Sequence, residues 1–168
     1  MTNLYAQPYD ISASGFYFKT DEEFQTKSKG LRNDYGEPVE EYEIQFIDGE
    51  QIDCELAQAF CLNQANFVLY LEYAKQWNTH EKTCFIIANG ECGYNFNPKH
   101  ENINTLEIDI YDVSNLKELA EQFVDEGFYG DIPKPIELYI DHEAMARDLA
   151  MDFAMTEIAG NRFAYRCA

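Results

Sequence analysis

The segment EEYEIQFIDG at residues 40–49 combines the alternating pattern of a β-strand with three glutamates, and it indicates both the strands of the fold and its acidic surface. Tyr42, Ile44 and Phe46 alternate with polar residues, and a period of two is typical of a strand with one buried face. Asp48-Gly49 is a turn signal that ends the strand. Because three of the polar residues before Phe46 are glutamates, the segment predicts a half-buried strand in an anionic surface.

The residues before this strand predict a small strand–helix–strand domain over residues 1–52. The aromatic sequence GFYFK at residues 15–19 is typical of a short strand. Thr20 and Glu23 have the spacing of a capping box, which predicts a helix from Asp21 to about Lys29. The strand at residues 42–46 completes the domain.

The middle of the chain, residues 53–104, predicts a mainly helical domain. Apolar residues recur at steps of three and four from about residue 53 to residue 77, which indicates one long helix or two helices interrupted near residues 63–66. The apolar run TCFIIA at residues 83–88 predicts a buried strand. Residues 89–104 are rich in Gly and Asn and predict a polar loop.

The remaining residues, 105–168, predict a C-terminal α+β domain. The alternation of Leu106, Ile108 and Ile110 indicates a strand, and residues 114–127 have an amphipathic helix pattern that ends at a Gly. A helix over residues 136–149 follows, and then a hairpin over residues 153–167 with its turn at residues 159–161. We therefore expect an α+β fold of three small domains, with mixed α/β units at both ends and a mainly helical middle.

Acidic residues dominate the whole sequence: 31 Asp and Glu stand against 12 Lys and Arg, for a formal net charge of −19. With 46% hydrophobic and 15% aromatic residues, the chain has the composition of a folded protein and not of a disordered one. We therefore expect the charged side chains to lie on the surface of a folded domain. Residues 1–52 hold 11 acids and 4 bases, residues 53–104 hold 6 and 3, and residues 105–168 hold 14 and 5. The two ends are therefore strongly anionic around a nearly neutral middle.

This charge restricts the class of partner. Because the chain has no Lys/Arg cluster, it is not expected to bind nucleic acid or an anionic membrane, and a basic protein surface is the expected partner. Duplex DNA has one negative charge per ~1.7 Å of axis, so 19 charges at that spacing would cover about 32 Å, or roughly nine to ten base pairs. The charge therefore has the scale of a protein's DNA footprint.

Nothing in the sequence indicates a particular reaction. It has no GxSxG, HExxH or P-loop motif, and its paired acids are expected on solvated faces. His80, Cys84, Cys92 and His100 could be written as a zinc set, but their spacing matches no standard site. We expect no enzymatic activity, no cofactor and no metal. No apolar run approaches ~20 residues and residues 1–18 lack the features of a signal peptide, so we expect a cytoplasmic protein.

Five short segments are distinctive: GFYF at 15–18, EEYEI at 40–44, FVDEG at 123–127, DIP at 131–133 and LYIDHEAMARDL at 138–149. In this order they resemble the ArdA family of antirestriction proteins, in which a helix ending in Gly precedes a Pro and a tyrosine-led helix ends in an Ala-Arg-Asp-Leu-like string. The resemblance covers both ends of the chain and residues 106–123. The middle, about residues 53–104, is similar only in its helical character.

The resemblance implies an elongated, curved homodimer whose subunits have three domains covered in carboxylates and imitate bent B-form DNA. Such a protein occupies the DNA-binding groove of Type I restriction–modification enzymes, on their methyltransferase and specificity subunits, and blocks DNA modification and cleavage. Mobile genetic elements carry these proteins, so that incoming DNA escapes both reactions. The alternative that the charge leaves open is an acidic adaptor or chaperone that shields another basic DNA-binding protein.

This hypothesis assigns roles to two sets of residues. The DNA-like charge is assigned to carboxylates of the two acidic ends: Asp21, Glu22, Glu23, Glu40, Glu41, Glu43, Glu107, Asp109, Asp112, Glu118, Glu121, Asp125, Glu126, Asp131, Glu137, Asp141 and Glu143. The resemblance places the dimer contact in the third domain, where it is assigned to Phe123, Phe128, Tyr129, Ile132, Pro133 and Tyr139.

Overall fold

The computed structural model describes residues 2–167 and divides the chain into two compact units, one extending to Asn104 and one beginning at Thr105. The described residues form seven α-helices and two small antiparallel sheets of three strands each. The expected mixture of helices and sheets is therefore confirmed at the level of fold class.

The first unit is built on a sheet with the order β2-β1-β3, in which β1 is Asn3–Pro8, β2 is Phe16–Phe18 and β3 is Tyr42–Asp48. The strands predicted at residues 15–19 and 42–46 are confirmed, and both pair antiparallel with β1. The central strand β1 was not predicted. Its buried positions are Leu4, Ala6 and Pro8, and since Ala and Pro are uncommon in strands, the alternation is hard to recognise.

Helix α1 spans Asp21–Gly30, as the capping pattern predicts. Oγ1 of Thr20 accepts a hydrogen bond from the backbone N–H of Glu23 at 3.2 Å, and the Glu23 carboxylate accepts one from the N–H of Lys19 at 3.0 Å. In a standard capping box this second bond comes from the N–H of the N-cap residue itself. Here it comes from Lys19, the residue before the N-cap Thr20. Acids in the first turn and lysines in the last complement the helix dipole.

Three helices follow in the first unit: α2 at Gln51–Ala59, α3 at Phe67–Gln76 and α4 at Thr79–Phe85. Of the two interpretations of residues 53–77, the interrupted helix is confirmed. Asn66 stabilises the interruption, because its Nδ2 donates to the Phe60 carbonyl and its Oδ1 accepts the N–H of Asn63, both at 2.8 Å.

The strand predicted at residues 83–88 is wrong, because this segment is helical. It comprises the last three residues of α4 and the first three residues of a π-helical turn at Ile86–Glu91. A complete capping box between Asn78 and Glu81 starts α4. The residues from Phe85 to Ala88 are all buried, and a short apolar run of this kind does not distinguish a strand from a buried helix.

An aromatic cluster joins the sheet of the first unit to its helices. The rings of Phe18 and Phe24 lie against Phe67 of α3, with centroid distances of 5.3 and 4.7 Å. The hydroxyl of Tyr70, also in α3, donates to the carbonyl of Asp53 at 2.9 Å. Packing in this unit therefore crosses residue 52, and a division into separate domains at residues 52 and 53 stays a prediction.

The second unit begins at the end of a 3₁₀ turn, Ile103–Thr105, and contains a sheet with the order β4-β6-β5 and three helices. These elements are β4 at Ile108–Asp112, α5 at Leu116–Asp125, α6 at Lys134–Glu137, α7 at His142–Leu149, β5 at Ala154–Ile158 and β6 at Asn161–Cys167. The core brings together Leu119 and Phe123 of α5, Leu149 of α7, and Ala164 of β6.

Two of the C-terminal predictions have opposite outcomes. The hairpin is confirmed, and Ala159 and Gly160 have φ values of 50° and 81°, as a two-residue type I′ turn requires.

The single helix predicted over residues 136–149 is wrong, because α6 ends at Glu137 and α7 begins at His142. Oδ1 of Asp141 accepts the N–H of Ala144 at 2.9 Å, so a helix start lies where a continuous helix was expected.

Candidate protein-binding surface

The carboxylates of this chain lie on its surface. Of the 31 Asp and Glu residues, 25 are exposed, and Asp53 is the one that is buried. Among the 17 carboxylates assigned to DNA imitation, Asp21 and Asp109 are half-buried and the other fifteen are exposed. The folded chain therefore presents the assigned side chains to solvent, where a large partner can contact them.

Helix α5 shows how the sequence produces this arrangement. Leu119 and Phe123 face the core, while Glu118, Glu121 and Asp125 are exposed on the opposite side. Since an α-helix rises ~1.5 Å per residue, the three carboxylates follow one another at about 4.5 and 6 Å along the axis. A regular row of negative charge results from an ordinary amphipathic pattern.

Several of these carboxylates are restrained by hydrogen bonds to their own element. Glu118 accepts the backbone N–H of Ser114 at 2.7 Å, before the start of α5. Oε1 of Glu126 accepts a hydrogen bond from Nε2 of Gln122 at 2.8 Å. These bonds, like the caps formed by Glu23 and Asp141, hold a negative charge in place before any partner arrives.

At the N-terminal end, the assigned acids occupy the first turn of α1, the loop before β3 and β3 itself. Glu22 and Glu23 are exposed in the first turn, and Glu40 and Glu41 are exposed just before β3. Glu43 is exposed on β3 between the buried residues Tyr42 and Ile44. The alternation in the sequence therefore puts the carboxylate of this strand on its solvent side.

Few of the assigned carboxylates are neutralised by a cation. Arg166 donates to Oδ2 of Asp109 through Nε at 2.9 Å and Nη2 at 2.5 Å, and this bond raises the pKa of the Arg166 guanidinium. Lys117 pairs with Glu143 at 3.1 Å. Within residues 2–167, the other fifteen assigned carboxylates have no Lys, Arg or His partner. Asp109 and Glu143 are therefore the members of the set whose charge is already partly compensated.

The residues assigned to the dimer contact are divided between surface and core. Phe128, Tyr129 and Tyr139 are 62%, 53% and 85% exposed. Pro133 is exposed and Ile132 is half-buried. Phe123 is only 6% exposed and belongs to the core, where it stacks on Phe128 with a centroid distance of 4.6 Å. Phe123 can therefore support a contact through Phe128 but cannot form one directly.

Two exposed residues of the same region were not among the assigned contact residues. Ile136 is 52% exposed and Leu138 is 91% exposed. Together with Phe128, Tyr129 and Tyr139 they form what we call the apolar segment. The sequence prediction of one helix over residues 136–149 had hidden them, because it placed Ile136 and Leu138 inside a regular helix, whereas α6 ends at Glu137.

Neither a metal site nor a membrane-spanning helix is found in the described part of the chain. Nε2 of His80 and Sγ of Cys84 are 3.6 Å apart on α4, and burial raises the pKa of the Cys84 thiol. No group of three or more His, Cys, Asp and Glu side chains among the described residues is arranged to hold a metal ion. None of the helices between residues 2 and 167 is both long enough and apolar enough to cross a membrane.

The model of the ArdA family, described as antirestriction protein, matches residues 14–161. The chain belongs to the ArdA family of antirestriction proteins. No curated protein was found to match it.

Membership of the ArdA family gives the acidic surface a biological context. The matched range includes every carboxylate of the assigned set, from Asp21 to Glu143, and all six assigned contact residues. ArdA proteins act against restriction–modification enzymes, so the family implies an antirestriction function for this chain. Residues 2–13, which include the central strand β1, precede the matched range.

Proposed function

We propose that this ArdA protein is a DNA mimic that occupies the DNA-binding groove of a Type I restriction–modification enzyme. By contacting the methyltransferase and specificity subunits there, it blocks both modification and cleavage of DNA. One observation carries the proposal: fifteen of the seventeen assigned carboxylates are exposed, and fifteen have no cationic partner within residues 2–167. Such a surface leaves its charge available for the Lys and Arg side chains of a DNA-binding groove.

The physical basis of inhibition is an anionic surface that is already ordered. Carboxylates fixed on helices, strands and caps lose little conformational entropy when a partner binds, unlike those of a flexible acidic tail. The summed field attracts a basic groove over several ångströms and accelerates association. Ions held by both surfaces are released on contact, so we expect the affinity to fall as salt rises.

We further propose that the active form is a homodimer that meets the restriction enzyme in the cytoplasm of a cell entered by a mobile element. The apolar segment supports the dimer, because its exposed side chains would be covered by the same surface of a second copy. Two copies would double the anionic surface. No chemical step is assigned to the protein, since inhibition by occupancy requires none.

The proposal is tested by displacement of DNA. A Type I methyltransferase bound to fluorescent duplex DNA is titrated with the chain at low and at high salt, after the dimer has been verified by sedimentation. We expect displacement at low salt that weakens as salt rises. If DNA stays bound at low salt in the presence of excess dimer, the proposal fails. The acidic-adaptor alternative then becomes the better one, and binding to a basic nucleoid protein would support it.

A further inference from the structure

The first unit carries three exposed apolar side chains, on two loops joined by a hydrogen bond, that the carboxylate surface does not explain. We define the aromatic tip as Tyr9, Ile11 and Tyr35. Tyr9 is 65% exposed, Tyr35 is 83% exposed and Ile11 is fully exposed. Single exposed apolar residues are common on protein surfaces, but these three lie on two loops that are bonded to each other.

Hydrogen bonds of Asp10 and Asn33 hold the two loops of the tip. Oδ2 of Asp10, in the loop after β1, accepts a bond from Nδ2 of Asn33, in the loop after α1, at 2.9 Å. Oδ1 of Asp10 also accepts the N–H and the hydroxyl of Ser12 at 2.9 and 2.7 Å. Asn33 is 9% exposed, and its Oδ1 accepts the N–H groups of Tyr35 and Glu37 at 3.0 and 2.8 Å. These hydrogen bonds hold the two loops that carry the tip in a fixed arrangement.

Carboxylates outnumber cations in the two loops of the tip, where Asp10, Asp34 and Glu37 stand against Arg32. Asp34 and Glu37 are exposed, and the bonds from Asn33 and Ser12 lower the pKa of Asp10, which keeps this carboxylate charged. Arg and Lys side chains suit such a surface: their charged heads pair with carboxylates and lie over tyrosine rings, and their aliphatic stems cover apolar side chains.

We propose that the aromatic tip is an anchor for Arg and Lys side chains in the DNA-binding groove of the restriction enzyme. It supplies the part of the affinity that salt does not screen. The inference rests on the proposed function, because its partner is the same basic groove. Contacts between carboxylates and cations weaken as ionic strength rises, whereas burial of apolar surface and stacking on a ring persist. A DNA mimic with this anchor therefore keeps part of its affinity at salt concentrations that weaken DNA itself.

The test compares the chain with a triple variant, Tyr9→Ser/Ile11→Ser/Tyr35→Ser. Displacement of labelled DNA from a Type I methyltransferase is measured at several salt concentrations between about 50 and 200 mM. We expect the triple variant to bind roughly tenfold to hundredfold more weakly at every concentration. The slope of log affinity against log salt should be unchanged, because no charge has been removed.

Two control variants separate the roles of apolar surface and charge. Ile47→Ser/Val68→Ser removes two residues of the same unit that are 46% exposed and lie outside the tip, and it should change affinity less than about twofold. Asp34→Asn/Glu37→Gln keeps the tip and should reduce the salt slope. Circular dichroism and urea unfolding establish that each variant is folded. If the triple variant does not fold, Ile11→Ser alone, at a fully exposed position, should still weaken binding about threefold.

The outcomes distinguish this inference from the proposed function. Failure of the unmodified chain to displace DNA overturns the proposed function and the anchor with it. Displacement that is equal for the chain and the triple variant overturns the anchor alone. A loss of affinity that comes with a change in oligomeric state, measured by light scattering, also overturns it, because the tip would then be a contact between copies.

Discussion

Asp53, the buried carboxylate of this acidic chain, forms an ion pair with Lys82. Nζ of Lys82 lies 2.6 Å from Oδ1 of Asp53, and both side chains are less than a tenth exposed. Thr2 donates its hydroxyl to Oδ2 of the same carboxylate at 3.3 Å. The pair joins α2 to α4. Asp53 therefore has a structural role, unlike the exposed carboxylates.

Lys82→Met tests the structural role of this pair. Removing the ammonium group leaves the Asp53 charge buried without its partner, so we expect the free energy of unfolding to fall by about 3–5 kcal/mol. Urea unfolding measures the change. The double variant Asp53→Asn/Lys82→Met should be more stable than Lys82→Met alone, because no unpaired charge remains. Lys117→Met, which breaks the exposed pair with Glu143, is the matched control and should cost less than about 1 kcal/mol.

At the scale of elements, N-cap residues in the sequence were better guides to the structure than apolar patterns. Caps mark where a helix starts, but an apolar run did not tell a helix from a strand. The Thr20 cap was visible in the sequence because a helix start needs only neighbouring residues. The run at residues 83–88 became a helix because the Asn78–Glu81 capping box started α4 ahead of it. The helix expected over residues 136–149 is interrupted where the Asp141 cap starts α7. In both cases a cap that was present in the sequence outweighed the apolar pattern.

The segment between α5 and α7 carries the prediction about the dimer. In Leu138→Ser/Tyr139→Ser, two exposed apolar side chains are lost from the apolar segment, so we expect self-association to weaken by at least about tenfold. Sedimentation equilibrium measures the dissociation constant of the dimer. Met151→Ser removes a residue of the same unit that is 84% exposed and lies outside the segment, and it should leave the dimer intact. Unchanged association in the double variant would remove the segment from the dimer contact.

At the scale of the whole molecule, the net charge of −19 acts on stability as well as on binding. Like charges spread over a folded surface repel one another, so a surface suited to a basic groove also lowers the stability of the fold. The exposed carboxylates act together in this field, and no single one of them is expected to dominate. Affinity and stability should therefore respond in opposite directions when carboxylates are neutralised.

Stepwise neutralisation of α5 tests this opposition. Glu118→Gln, Glu121→Gln, Asp125→Asn and Glu126→Gln are added one at a time, and the amide oxygen introduced by Glu118→Gln still offers an acceptor to the N–H of Ser114. We expect each step to weaken displacement by roughly 1.5- to 5-fold at low salt. The steps at Glu121, Asp125 and Glu126 should also raise the unfolding temperature measured by calorimetry, whereas Glu118→Gln should not, because Glu118 lies in the first turn of α5, where its charge complements the helix dipole. Loss of all activity at one step would point to a specific site instead of a summed field.

By itself, the sequence determined the acidic character of this protein, its concentration at the two ends, the amphipathic pattern of α5 and the C-terminal turn. These properties depend on composition or on residues a few positions apart. Only the tertiary structure decided that β1 is a central strand, that Phe123 lies in the core while Leu138 is exposed, and that Asp10 and Asn33 join two loops. Each of these depends on partners distant in sequence, because burial and long-range hydrogen bonds are set by how the whole chain packs.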